Sequence, residues 1–142
     1  MIGAHSALAA TLYFLGDFGA ARENATRGLQ IWRSGAVQSP VEEVYAPPVI
    51  CLMVESLSDW HLGEISSCEA TITQATSLAK ELNDTHALAA ALLWATKLGH
   101  FERNPAKVAR LASDLIELST RQNFAFLAAR RRDFAMLGAE RF

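Results

Sequence analysis

The chain has 142 residues, 51% of them apolar and 20% charged, with a formal net charge of −2; this length suits one domain with its own core, and the composition excludes a disordered or collagen-like chain. The apolar runs at 49–54 and 87–95 stop well short of the ~18 residues of a membrane span, and the opening "MIGAHSALAATLYFLGDF" lacks a basic stretch, so neither a spanning helix nor a secretory leader is expected and the cytoplasm is the expected compartment. Charge is unevenly spread: residues 41–84 hold eight acids against one base, Lys80, whereas from Lys107 onward there are seven bases and four acids, a gradient that suits solvated helix faces, a charged partner or head-to-tail attraction between copies.

The first predicted helix covers 4–15 and stops at Gly16. The stretch "FLGDFGAARENATRGLQI" follows, and its glycine is matched 47 residues later by Gly63 in "HLGEISSCEATITQATSL". After each glycine, small or apolar residues recur at the same steps: Ala21, Ala25, Gly28 and Ile31 in one copy, Cys68, Ile72, Ala75 and Leu78 in the other. Those steps make one face of a helix. Between the copies, "SGAVQSPVEEVYAPP" holds Gly35, Pro40, Pro47 and Pro48 and cannot be regular helix throughout. A helix over 49–62 then ends at Gly63, and Ser66 followed by Glu69 reads as a capping box for the next one. Asp84 or Thr85 caps a helix over 87–98, which ends at a third "LG", Leu98–Gly99. Behind it the same stripe recurs as Val108, Ala112, Leu115 and Leu118, displaced by four extra residues. Asn104–Pro105 supplies its N-cap and first helical residue. A last amphipathic segment covers 124–137.

Each unit therefore reads as helix, glycine stop, helix. A residue just past a helix end commonly takes positive φ, which glycine does at least cost. Ala9, Ala21 and Gly28 in the first unit, and Ser56, Cys68 and Ala75 in the second, are small enough to let paired helices approach closely. The expected fold is all-α, a single domain over 1–142 with units at approximately 3–34, 48–83 and 84–123 and a closing helix at 124–139.

A glycine between paired helices, "LGDF" after the first of them, alanine five residues on and a small residue twelve on together resemble the tetratricopeptide pattern. Over nearly the whole chain, "ALAATLYFLGDFGAAREN", "VICLMVESLSDWHLGE", "HALAAALLWATKLGH" and "STRQNFAFLAA" resemble the C-terminal helical-repeat region of large bacterial signalling ATPases and LuxR-type transcriptional regulators, in which an ATPase module precedes the repeats and a cyclase or DNA-binding domain is often attached. The resemblance implies a right-handed superhelix of about three hairpins plus a closing helix, and a non-catalytic module that binds a protein or peptide partner, an ATPase or cyclase module among them. The chain has no GxxxxGK[ST] loop, so nucleotide hydrolysis is not expected. The register places Tyr13, Asp17, Trp60, Glu64, Thr96 and His100 in the groove that would meet the partner. The alternative is a sensor holding a small molecule in an apolar pocket between hairpins, with an enzyme third.

Candidate chemistry is sparse, and no catalytic, metal or cofactor-binding residue is expected. His5, His61, His86 and His100 have no HxxxH spacing; a zinc site from Cys51, His61 and Cys68 lacks a fourth ligand. Cys51 and Cys68 read as reduced core thiols rather than a disulfide or a nucleophile. Glu55 and Asp59, four residues apart on one helix, either face water on a helix turned to bury Ile50, Met53, Val54, Leu57 and Trp60, or line the groove against a basic partner segment. Arg130, Arg131 and Arg132 fan around their helix and make no flat patch for nucleic acid. Tyr13, Phe14, Trp60 and Trp94, near the ends of the first helices of the units, are either core or peptide anchors. The apolar first and last helices point to a homodimer through a terminal face.

Overall fold

The computed structural model describes residues 2–35 and 46–122. They form α1 (Ile2–Phe14), α2 (Phe18–Arg33), α3 (Pro47–Leu62), a 3₁₀ turn (Ile65–Ser67), α4 (Cys68–Glu81), α5 (Thr85–Phe101) and α6 (Pro105–Gln122). The expected all-α class and the three helix pairs are present among these residues. The closing helix expected over 124–137, Arg130, Arg131 and Arg132 within it, and residues 36–45 of the connection lie outside the described residues.

The stops between paired helices share one backbone device. Gly16 (φ 85°) and Gly63 (φ 87°) are left-handed as expected, but the third such residue is Arg103 (φ 56°) and not Gly99. In each case the residue with positive φ and its successor both donate back to the last turn: Gly16 N to Tyr13 O and Asp17 N to Leu12 O, Gly63 N to Trp60 O and Glu64 N to Asp59 O, Arg103 N to His100 O and Asn104 N to Gly99 O. These bonds satisfy carbonyls that a helix end otherwise leaves open. Asn83 (φ 52°) ends α4 in the same way, with Asp84 N donating to Ala79 O.

Counting from Arg103 instead of Gly99 removes the four extra residues. Val108, Ala112, Leu115 and Leu118 then fall five, nine, twelve and fifteen residues on, the steps found after Gly16 and Gly63. Gly99 lies inside α5 and serves a different purpose. A Cβ there would stand 3.2 Å from Val108 Cγ2 and 3.4 Å from Lys107 Cγ, so the glycine permits the close approach of α6.

Side-chain caps form at three helix starts, those at Asp84 and Asn104 as expected and the one at Asp17 in addition. Asp17 accepts from Ala20 N (3.2 Å), Asp84 from Ala87 N (2.9 Å) and Asn104 from Lys107 N (3.1 Å). The capping box expected from Ser66 and Glu69 does not form. The 3₁₀ turn runs straight into α4, whose N-cap is Ser67 without a side-chain cap bond. The Ser67 hydroxyl turns instead to Asp59 Oδ2 (3.3 Å) and Glu64 O (3.3 Å), while Glu69 pairs with Lys107.

Packing follows chain order with a second set of contacts between first helices. Each helix packs on its successor, α1 also packs on α3, and α3 on α5. The centre is therefore α3, buried at Val49, Cys51, Leu52, Met53, Val54, Ser56 and Leu57, while Ile50 and Trp60 pack against the core from its edge. Apolar residues all round suit a helix enclosed by α1, α2, α4 and α5. All six small residues named above are buried: Ala9, Ala21, Gly28, Ser56, Cys68 and Ala75.

Gly28 sets the distance between α2 and α3. A Cβ at this position would lie 2.7 Å from Cys51 Sγ and 3.3 Å from His5 Cβ. Overpacking of this kind costs ~1–3 kcal/mol, against a helix-propensity gain near ~1 kcal/mol for alanine. Gly28→Ala is expected to lower the stability of the full chain by about 1 kcal/mol in urea titration, and Cys51→Ala as background to remove most of that loss. A Gly28→Ala chain as stable as the parent would show that the seam has room.

Candidate functional site

Two groups of side chains stand out from the packed interior: a polar cluster joining the first two hairpins, and a row of aromatic rings where α1, α3 and α5 end.

The polar cluster centres on Arg22 of α2. Its Nε lies 3.0 Å from Asp59 Oδ1, and its Nη1 donates to Glu64 Oε1 at 3.0 Å. Asp59 is 4% exposed. The guanidinium is ion-paired with Asp59 without aiming an N–H at Oδ1, which accepts no hydrogen bond among the described residues. Oδ2 accepts from Ser67. Burial pushes the Asp59 carboxyl up, opposed by Arg22 and the Ser67 bond. Glu55, half-buried one turn earlier, is also raised, by burial and then by the Asp59 charge, with Arg33 and Arg22 opposing. The reading in which both acids face water is thereby corrected for Asp59: α3 does bury Met53, Val54 and Leu57, but being enclosed on several sides it buries Asp59 as well. Arg22, 37 residues earlier in the chain, is the compensating charge.

The aromatic row begins with Tyr13, 7% exposed, whose hydroxyl lies 3.1 Å from His61 Nε2. Burial lowers the His61 pKa and raises that of Tyr13, so a neutral imidazole accepts from the phenol at neutral pH. The Tyr13 ring also meets Trp94 (5.1 Å) and Phe18 (5.4 Å). Phe18 stacks flat on His61 at 4.1 Å and 12°. His61 meets the edge of Phe101 at 5.1 Å, and Phe101 lies nearly parallel to Trp60 at 6.5 Å. Phe14 closes the row on Trp94 at 5.9 Å. Lys97 Nζ sits over both of these rings, 5.2 Å from Phe14 and 5.1 Å from Trp94. Such tilted and offset pairs are favourable beyond their buried area, and the cation adds to them. The row has an exposed rim: Phe14 is 68% exposed and Phe101 36%.

The six residues predicted for the groove have distinct fates. Tyr13, Trp60 and His100 are linked through His61 and Phe101, with His100 exposed and its ring 6.2 Å from Phe101. Asp17 caps α2. Glu64 pairs with Arg22. The Thr96 hydroxyl donates to Leu92 O at 2.8 Å inside α5. Sequence reasoning passed over Phe18, Lys97 and Phe101. The signal for two of them is present, since Trp94, Lys97 and Phe101 stand at i, i+3 and i+7 on one face of α5.

Other candidate chemistry is quiet. Burial pushes the Cys51 thiol up to about 12 and the Cys68 thiol up to about 11, so neither is a thiolate at neutral pH. Both are free and buried, and among the described residues no group of three His, Cys, Asp or Glu side chains is arranged to hold a metal ion. An open cleft of about 440 Å³ lies between the end of α5 and the start of α6, lined by His100, Arg103, Asn104 and Val108 among others. It sits within one hairpin. Among the described residues no helix is long and apolar enough to cross a membrane.

In comparison with known proteins, no family model, no curated protein and no solved structure matches the chain.

Proposed function

We propose that the chain is a non-catalytic protein-interaction module of a bacterial regulatory system, built as a tetratricopeptide-like stack and meeting its partner with the ends of α1, α3 and α5. The observation that carries this reading is the exposed rim of the aromatic row. Phe14 and Phe101 stand in water although both belong to a ring cluster that fixes their positions. Rigid, partly exposed aromatics are the groups from which interfaces draw most of their affinity. The succession of hairpins, with first helix packed on first helix, supports the repeat architecture. The likeness of "HALAAALLWATKLGH" and its companion stretches to the repeat regions of signalling ATPases supports the regulatory setting.

The test is selection of short random peptides on the full chain. Binders are expected, and the variants Phe14→Ser and Phe101→Ser are expected to lose them while keeping the parent circular dichroism. Stabilisation by metabolites in a thermal-shift screen, with no peptide selected, would overturn the reading.

A further inference from the structure

Building on that reading, we propose that the surface around Lys97 takes an acidic segment of a partner protein that also carries apolar side chains. The apolar part of the surface is built from Phe14 at the end of α1, with Leu15 next in the chain, and from Leu93 and Phe101 on α5, over the buried Trp94. Leu15 is 75% exposed and Leu93 49%. Lys97 follows Leu93 by one helical turn and precedes Phe101 by another, and its ammonium stands over the rings of Phe14 and Trp94.

Charge decides which partner suits this surface. Among the described residues no carboxylate pairs with Lys97. The carboxylates of the neighbouring turns and of the α3 end are already engaged: Asp17 with Ala20 N, Asp59 and Glu64 with Arg22, Glu102 with Lys107. His61, in the middle of the row, is held toward its neutral form by burial. The rings therefore surround one uncompensated positive charge. Ring faces attract a cation but do not neutralise it, and Lys97 is part-exposed, which leaves it within reach of an incoming anion. A basic segment would meet like charge, and an uncharged one would gain ring contacts alone. An acidic segment with leucine or aromatic residues satisfies both parts of the surface.

The experiment compares the peptides selected on the parent chain with those selected on Lys97→Glu. Parent binders are expected to be enriched in Asp and Glu beside Leu, Phe or Trp relative to the starting library, and Lys97→Glu is expected to shift the enrichment to Lys and Arg. In fluorescence anisotropy an acidic parent binder is expected to weaken by about fivefold or more against Lys97→Glu and less against Lys97→Gln. Its affinity is also expected to fall with added salt. Binders that require Phe14 yet show no acidic enrichment, and that bind Lys97→Glu as well as the parent, would overturn this proposal and leave the interaction reading standing. Binders indifferent to Phe14, or none at all, would overturn both.

Discussion

Leu57→Ala is expected to lower the stability of the chain by about 2–5 kcal/mol, the range for a large aliphatic side chain removed from a closed site. Leu57 is 0% exposed on α3, the helix that touches α1, α2, α4 and α5. A cavity there is sealed from solvent, and the helices packed around α3 would have to shift to close it. For a chain of this size each kcal/mol is worth roughly 3 °C in Tm. Because α3 is shared by all three hairpins, thermal unfolding followed by far-ultraviolet circular dichroism and by tryptophan fluorescence should move down together. A loss under about 1 kcal/mol, or a second transition in one probe, would mean that α3 is not the common centre.

The second large effect is expected from Arg22→Ala. Removing one member of a buried ion pair costs about 3–5 kcal/mol when both are enclosed. Here the Arg22 side chain is 38% exposed and Asp59 only 5%, so solvent screening reduces the expected loss to about 1–3 kcal/mol near neutral pH. The sign of the pH dependence follows from Asp59. Its folded carboxyl is raised above the ordinary value, so the folded chain takes up this proton at a pH where the unfolded chain is still ionised. The cost of the buried charge is fully present above the raised folded value and disappears below about pH 4, where the carboxyl is protonated in both states. Without Arg22 the folded value rises further. The loss caused by Arg22→Ala should therefore be greatest near neutrality and shrink on acidification, and Asp59→Asn in the same chain should restore most of it. A loss of equal size at every pH would assign it to the packing of the arginine stem instead.

Much of the fold is written in spacing that a reader can see. The stripes after Gly16 and Gly63, the caps at Asp84 and Asn104, and the small residues of the helix seams are local features, and each has its expected place, whereas Asp17, expected in the groove, caps α2. One stop departs from the expectation of glycine. At Arg103 the stop is made by an arginine held in the left-handed region, where a side chain costs roughly 1–2 kcal/mol; nothing in its chemistry advertises the turn. The pair "LG" at Leu98–Gly99 then attracts the assignment, although that glycine is needed for the approach of α6. The burial of Asp59 was hidden for another reason. Its partner lies on α2, and only tertiary structure brings Arg22 to it. Of the candidate site, the Trp94, Lys97 and Phe101 stripe is legible as helical periodicity. The meeting of Phe14 with Trp94 is not, because it joins the ends of two helices from the first and third hairpins.

The seam between α2 and α3, where Gly28 lies against Cys51, and the one between α3 and α4, where Ser56 donates to the carbonyl of Cys68 at 2.8 Å, each enclose one sulfur atom. The molecule thus carries a native chemical clock in each junction. An alkylating reagent is expected to reach Cys51 when the first pair of helices parts from the second, and Cys68 when the second pair itself comes apart. Comparing the two labelling rates by mass spectrometry distinguishes a body that breathes as one from a chain of hinged plates, without introducing a single foreign atom beforehand.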